Sequence, residues 1–239
     1  MAETERLRAA LLTSISHDLR TPLATIIGTL TILRSFGTAY DDQTRDELMV
    51  TVQAEAERLN RFIGNLLDMT RLEAGAVAPA GSLADLSDVV GAVLRRAARI
   101  LAAHRVEVEL QPGLPMLAID MVLFEQVLFN ILDNAAKYAP SGSTVRLCAW
   151  READAVRIQV LDEGEGIPAA QLDRVFDKFY RVRGADRRRA GTGLGLAICR
   201  GFVEAMGGTI TAANRTDRSG AVFTITLPVP AQVPAEAAA

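Results

Sequence analysis

The sequence predicts a multidomain chain: a helical hairpin followed by an α+β sandwich with one layer of helices and one sheet. Three observations lead to this fold class. Apolar residues recur at three- and four-residue steps over 3–74, a Gly- and Pro-containing stretch follows at 73–82, and helical and alternating patterns then mix as far as 228. We therefore predict domains at 1–75 and 76–228, with a disordered Pro/Ala-rich tail at 229–239.

The first domain carries one narrow apolar stripe on each of two helices, separated by "FGTAYDD". Two helices alone bury too little apolar surface to be stable, whereas two hairpins from two chains form a four-helix bundle. We therefore predict a homodimer; the alternative is a hairpin that packs on the second domain of its own chain. The stripes consist of Leu12, Ile15, Leu19, Leu23, Ile26, Leu30 and Leu33, and of Leu48, Val52, Leu59, Phe62, Leu66 and Met69.

In the second domain the spacing of apolar residues changes repeatedly between the pattern of a helix and the pattern of a strand. Helices are expected at 84–103, 120–138 and 194–206, and strands at 106–110, 144–150, 156–161, 208–213 and 221–227.

Composition excludes several classes of protein. The net charge of −3 gives no electrostatic footprint for nucleic acid. No apolar run approaches the roughly 18 residues of a membrane span, and "MAETERLRAA" is not a signal peptide. Cys148 and Cys199 lie in apolar segments without metal-ligand spacing, so we expect buried free thiols.

The stretch "SISHDLRTPL", residues 14–23, places a histidine on the polar side of the first helix. His17 is two residues from both Ile15 and Leu19, which turns it nearly opposite the apolar stripe. Arg20 and Thr21 follow at i+3 and i+4 and share its face. The alternative is an ordinary surface histidine without function.

Two neighbours make this histidine a candidate nucleophile. Asp18 could accept one ring N–H of His17 and so leave the other nitrogen free to attack. Pro22 removes a helical hydrogen bond one turn later, which predicts a kink at the site. A break between two shorter helices is the alternative interpretation of Pro22.

A second candidate site begins with "NILDNAAKY" at 130–138. Asn130, Asn134 and Lys137 fall within about 60° of one another on a helical wheel. Two amides and a lysine on one face could hold a hard cation and phosphate oxygens. The alternative is the plain polar face of an amphipathic helix.

In "VRIQVLDEGEGIP", residues 156–168, Asp162 continues the buried parity of an alternating strand. A buried carboxylate needs a donor, and an adenine amine would supply one. Gly164 and Gly166 would let the backbone approach a ring closely. The alternative is a turn in which Asp162 bonds local amides.

In "GTGLGLAICR", residues 191–200, three glycines precede an apolar helix, and amides at a helix N-terminus suit phosphate. The preceding segment "FDKFYRVRGADRRR", residues 176–189, could be a mobile cationic lid over those phosphates. A solvated basic loop is the alternative.

In this order the motifs strongly resemble the sensor histidine kinases of two-component signalling, over residues 5–228. The stretches "SISHDLRTPL", "FDKFYR" and "GLGLAICR" are most similar to the corresponding motifs of the KdpD-type potassium-responsive kinases. The resemblance implies a Bergerat-type (GHKL) ATP-binding sandwich and a protein-histidine kinase that uses ATP and Mg²⁺. It also implies a homodimer with a cognate response regulator as its partner. The expected location is the cytoplasm, either as a separate protein or as the cytoplasmic part of an inner-membrane sensor.

Site residues carry over by their match to the family's motifs. His17 matches the phosphoacceptor, Asp18 the acid that assists transfer, and Thr21 the position used in dephosphorylating the regulator. Many relatives have Glu where this chain has Asp18, and the shorter acid changes its reach. By the same resemblance, Arg20 belongs to the catalytic residues. Asn130 would be the magnesium ligand, and Asp162 would be the acid that recognises adenine. The remaining nucleotide-binding residues would be Asn134, Lys137, Tyr138, Gly164, Gly166, Ile167, Phe176, Lys178, Phe179, Arg181, Gly191, Thr192, Gly193, Leu194 and Gly195.

Two rival classes remain open from the sequence. One is an ATP-driven conformational machine without phosphotransfer, which His17, Arg20 and Thr21 argue against. The other is a dimerisation scaffold with a dead ATP site, which the full set of Asn, Asp and Gly positions argues against.

Overall fold

A computed structural model of the chain describes residues 2–76, 82–180 and 193–230, without the side chains of residues 2–18 and of Thr38. The chain divides into two compact units, residues 1–68 and 69–239.

The first unit consists of two long helices. Helix α1 spans Ala2–Phe36 and α2 spans Asp42–Glu73, joined by a 3-10 turn at Gly37–Ala39. Asp41 starts α2, since its Oδ1 accepts the backbone N–H of Thr44 at 2.8 Å. Bonds from Thr44 hold the pKa of Asp41 below its usual value.

Pro22 is buried inside α1, and the helix continues on both sides of it. The interpretation of Pro22 as a break between two shorter helices is therefore wrong. The kink remains a prediction.

A five-stranded sheet forms one layer of the second unit. Its strands in chain order are β2 (Arg105–Leu110), β4 (Thr144–Glu152), β5 (Ala155–Leu161), β6 (Thr209–Asn214) and β7 (Ala221–Pro228). They lie side by side as β2-β4-β5-β7-β6; the β2–β4 pair is parallel and the others are antiparallel. Two further strands, β1 (Leu83–Ala84) and β3 (Leu117–Ala118), pair antiparallel apart from it.

Three helices cover one face of this sheet: α3 (Leu86–Ala97), α4 (Met121–Tyr138) and α5 (Gly195–Ala205). Asp120 caps α4 by accepting the N–H groups of Val122 and Leu123 at 2.9 and 3.1 Å. The core lies between the layers, where alternate residues of β4, β5 and β7 are buried. The predicted helical hairpin followed by a two-layer α+β sandwich is thus confirmed.

The helix expected at 84–103 is shorter than predicted. Residues 83–84 pair with β3 instead, and α3 begins after its cap, Asp85, whose carboxylate accepts the N–H of Ser87 at 2.8 Å. Beyond Ala97 the backbone turns, and Ala103 accepts the N–H of Gly142 at 2.7 Å. The pairing of residues 83–84 with β3 therefore decides where this helix begins.

Three smaller features also differ from or extend the predictions. Cys199 is buried as expected, and burial raises the pKa of its thiol to about 12, but Cys148 is only half-buried. Short 3-10 helices at Ala169–Gln171 and Arg174–Phe176 were not predicted. At the end of the sandwich, Val229 donates its N–H to Asp154 O at 2.8 Å, and residues 231–239 lie outside the described part.

Within the described part of the chain, no helix is long and apolar enough to cross a bilayer.

Candidate functional site

Helix α4 carries the first group of candidate residues. Its apolar side faces the core, whereas Asn130, Asn134 and Lys137 are half-buried. The Nδ2 of Asn130 lies 3.5 Å from Gly195 O, at the first residue of α5. Lys137 forms an ion pair with Asp133, one turn earlier on the same helix, a partner that the sequence analysis did not consider.

Asp162 lies just past β5 and is 5% exposed. Its Oδ1 accepts two backbone N–H groups, from Gly164 at 2.8 Å and from Ala221 at 3.1 Å. Burial raises the pKa of this carboxyl, while the two amide bonds and the charge of Arg215 pull it down.

The two oxygens of Asp162 differ in their surroundings. Oδ1 is bonded by one local amide, that of Gly164, as the turn interpretation required, and by one distant amide, that of Ala221 on β7. Among the described residues none donates a hydrogen bond to Oδ2. A carboxylate held in this way can accept one further donor from a ligand.

Gly164 brings Asp162 against the end of α4. A Cβ built on Gly164 would lie 2.8 Å from the backbone oxygen of Tyr138, so only glycine fits there. On the opposite side, Gly166 has φ +79°, and its Cβ would lie 2.7 Å from Oδ1 of Asn214. The segment that carries Asp162, Gly164, Gly166 and Ile167 therefore lies in close contact with the end of α4 on one side and with Asn214, the last residue of β6, on the other.

The start of α5 meets the segment at 176–180. Phe179 donates its N–H to Gly193 O at 2.9 Å, and a Cβ on Gly193 would approach the Phe179 backbone to 2.7 Å. Phe179 itself has φ +62°, which is unusual for a non-glycine residue. Leu194 is fully buried and fixes the entry to α5.

Phe176 anchors the near end of the same segment. It is 4% exposed, packs edge-to-face on Phe223 with ring centroids 6.4 Å apart, and lies 4.4 Å beneath the guanidinium of Arg200. Lys178, by contrast, pairs with Glu73 at 2.6 Å. Arg181, Gly191 and Thr192, together with most of the predicted lid at 176–189, lie outside the described residues.

The candidate phosphoacceptor residues lie on α1. His17 and Asp18 are part of this helix, but their side chains are outside the described part. Arg20 and Thr21 are exposed, and the backbone oxygen of Thr21 accepts the hydroxyl of Thr25 at 3.2 Å.

Sequence reasoning gave no role to the turn between β6 and β7. Asn214 makes two hydrogen bonds to the backbone of Ile167, and Ser219 makes one to Gly164 O. The only signal in "NRTDRSG" was that of a hairpin turn. Its contacts join residues 47 to 55 positions apart, a separation that no local pattern reveals.

Two protein families match the chain. The family described as "His Kinase A (phospho-acceptor) domain" matches residues 7–75. The family described as "Histidine kinase-, DNA gyrase B-, and HSP90-like ATPase" matches residues 119–231.

Among curated proteins, "Sensor protein KdpD" of Clostridium acetobutylicum is 38% identical over 228 residues, which cover 95% of this chain and 25% of that protein. "Sensor protein KdpD" of Escherichia coli (strain K12) is 37% identical over 227 residues, with the same two coverages, 95% and 25%. The chain therefore spans about a quarter of the length of these relatives.

Among solved structures, the Acinetobacter baumannii histidine kinase AdeS is 26% identical, with a TM-score of 0.69 over 90% of this chain and 98% of that one. A match to the phospho-acceptor domain is thus followed in this chain by a match to the histidine kinase-type ATPase domain. The chain belongs to the sensor histidine kinases, as a catalytic core similar to that of the KdpD sensor proteins.

Proposed function

We propose that this chain uses ATP to phosphorylate its own His17, passes the phosphoryl group to an aspartate of a cognate response regulator, and also removes it from that regulator. Residues 1–75 would serve dimerisation and phosphotransfer, and residues 76–228 would bind the nucleotide. The observation that carries this proposal is the carboxylate of Asp162, buried at 5% exposure with Oδ1 satisfied by two amides.

Asp162 is suited to an exocyclic amine of a base. Oδ2 would accept that amine, since Oδ1 is already bonded by the N–H groups of Gly164 and Ala221. A guanine presents a carbonyl oxygen at the equivalent position, and an oxygen facing a carboxylate is repelled. The site therefore favours adenine.

The polar face of α4 is suited to the phosphates. The amide nitrogen of Asn130 is directed at Gly195 O, which leaves its side-chain oxygen as the group in this chain to hold Mg²⁺. Bound Mg²⁺ would neutralise charge on the phosphate oxygens. Asn134 and Lys137 follow Asn130 along the same helix, so the phosphates would lie over that face.

At the phosphoacceptor, a ring nitrogen of His17 would attack the γ-phosphorus of ATP. The new N–P bond forms as the bond from phosphorus to the bridging oxygen breaks, and ADP leaves with that electron pair. Asp18 would hold the other ring N–H and so orient the imidazole. An aspartate of the regulator then takes the phosphoryl group from His17, which restores the imidazole.

The homodimer is supported by apolar side chains that one chain leaves exposed on α1 and α2. Ile27 is 57% exposed, Met49 57% and Val50 65%. Such a surface on a two-helix unit is typical of an interface that a second copy covers.

Incubation of the purified chain with radiolabelled ATP separates this function from its two rivals. The kinase acquires an acid-labile, base-stable label. A conformational machine would hydrolyse ATP without labelling itself, and a scaffold would do neither.

The two histidines of the chain, His17 and His104, supply a variant and its matched control. His17→Gln should bind ATP as the parent does and take up no label, whereas His104→Gln should still be labelled. Undiminished labelling of His17→Gln would place the acceptor elsewhere.

A further inference from the structure

The segment that carries Asp162 has no regular structure of its own between Leu161 and Ala169. Its backbone groups need partners from elsewhere, because buried peptide groups are almost always paired. The turn between β6 and β7, residues 214–220, supplies them. We name this stretch the β6–β7 turn and the partnered stretch, residues 162–167, the Asp162 segment.

At the far end of the Asp162 segment, the side chain of Asn214 forms the two hydrogen bonds that a neighbouring strand would otherwise make to the backbone of Ile167. Oδ1 of Asn214 accepts the N–H of Ile167, and Nδ2 of Asn214 donates to Ile167 O, both at 2.7 Å. This pair of bonds fixes the Ile167 peptide groups in position and orientation.

At the near end, two more side chains bond the backbone. Ser219 donates its hydroxyl to Gly164 O at 2.6 Å, and Nη1 of Arg215 lies 3.3 Å from Asp162 O. Arg215 is itself fixed: its side chain is 6% exposed, and its Nε and Nη2 bond the carboxylate of Asp217 at 3.0 and 2.7 Å. That bond holds the pKa of Asp217 well below its usual range, so the pair stays charged.

Close backbone contact leaves the Asp162 segment no room to shift toward the β6–β7 turn. A Cβ added to Gly220 would lie 2.0 Å from Asp162 O, and the N–H of Ala221 bonds Oδ1 of Asp162. The β6–β7 turn therefore holds the Asp162 segment on both sides of its carboxylate.

We propose that the β6–β7 turn positions the Asp162 carboxylate for base recognition, with Asn214 and Ser219 as positioning residues that set nucleotide affinity and the preference for adenine. This inference rests on the proposed role of Asp162. The positioning residues do not contact the base; they act by fixing the direction in which Oδ2 points.

The test measures the dissociation constants of ADP and GDP by calorimetry on the full chain, together with KM for ATP and kcat for autophosphorylation. Asn214→Ala should weaken ADP binding about five- to tenfold and Ser219→Ala about threefold, as expected for neutral hydrogen bonds. Both substitutions should reduce the ratio of the GDP dissociation constant to the ADP dissociation constant. Both should raise KM for ATP and leave kcat for autophosphorylation at saturating ATP unchanged. Ser219→Thr keeps the hydroxyl and should restore affinity.

Thr216→Ala is the matched control, because Thr216 is exposed in the same turn; it should bind both nucleotides as the parent does. Asp162→Asn is the benchmark. If Asp162→Asn weakens ADP binding but Asn214→Ala and Ser219→Ala do not, the positioning role is wrong and the adenine site stands. If Asp162→Asn also binds ADP as the parent does, both the positioning role of the turn and the proposed adenine site at Asp162 are wrong. Asn214→Ala and Ser219→Ala could instead lower the melting temperature, or the fraction of chains that bind nucleotide, without changing the affinity or the preference for ADP. That result would show that the turn serves stability alone, and it would overturn the inference.

Discussion

The helical unit and the sandwich treat their apolar residues in opposite ways. In the sandwich, Phe124, Ile131 and Phe202 are 0 to 1% exposed, enclosed by helices on one side and sheet on the other. In the helical unit, Phe62 is 3% exposed but Ile27 and Val50 are 57% and 65% exposed. Two layers enclose a core within one chain, whereas two helices share only one seam.

This contrast separates two roles. The sandwich is complete as a fold, so its binding site can be built from fixed contacts such as those around Asp162. The helical unit leaves apolar side chains exposed on both helices, which suits assembly with a second chain.

Phe202→Ala should destabilise the sandwich by about 3–5 kcal/mol, because it removes a large side chain from a filled core. The single tryptophan, Trp150, lies on β4, so its fluorescence reports the unfolding of the sandwich in a denaturant titration. Ile27→Ala, on the exposed surface of α1, is the matched comparison and should leave that transition unchanged. Equal shifts in both variants would contradict the division.

Ile27→Asp should weaken the dimer about a hundredfold, because it places a charge in the surface that a second chain is expected to cover. Ile27 is a sharper test than Phe62, since Phe62 is already buried within one chain and its loss would also disturb the hairpin. Light scattering over a concentration series measures the change. Gln53→Asp, at an exposed polar position of α2, is the control. A monomeric parent would refute the four-helix bundle.

Asp162→Asn should weaken ADP binding roughly ten- to a hundredfold, as for loss of a charge-assisted hydrogen bond. It should not lower the melting temperature at neutral pH, because the asparagine oxygen can still accept the two amides and the buried charge is gone. Calorimetry and a thermal melt on the same sample measure both effects. A matching fall in stability would mean that the substitution merely damages the fold.

The raised pKa of Asp162 adds a pH signature to the same prediction. A raised folded-state pKa means that the folded protein binds this proton more tightly than the unfolded chain, so ionisation costs stability as the pH rises through it. Nucleotide affinity has the opposite dependence: it should fall as the pH drops through this pKa, at a higher pH than for an ordinary aspartate. Asp162→Asn should abolish that dependence.

Thr21→Ala should keep autophosphorylation and reduce phosphatase action roughly tenfold, the effect of one lost hydrogen bond to an attacking water. Thr21 is exposed one turn after His17. It would have no part in the proposed attack by the imidazole, where the ring nitrogen is itself the nucleophile. The two rates are measured side by side on purified protein and regulator. A parallel loss of both would instead mean that Thr21 supports the helix near Pro22.

Local patterns in the sequence were sufficient for most of the fold. Periods of two and of three to four residues located α4, α5 and the strands of the sheet, since burial of one face imposes those periods directly. The same parity put Asp162 on the buried side of its strand, and the structure gives it 5% exposure. The start of α3 was not predictable in this way, because residues 83–84 pair with the distant strand β3.

Within the candidate site, residue types and their spacing were enough to identify the groups with suitable chemistry: an acid at a buried position, glycines beside it, and amides on one helix face. The pairing of Lys137 with Asp133 also follows from local spacing, since the two are four residues apart on one helix. The distant partners depended on the tertiary structure, which paired Lys178 with Glu73 and brought Asn214 and Ser219 onto a segment about fifty residues away. Parity and spacing are properties of a local backbone, whereas hydrogen bonds between distant segments depend on how the strands are ordered in the sheet.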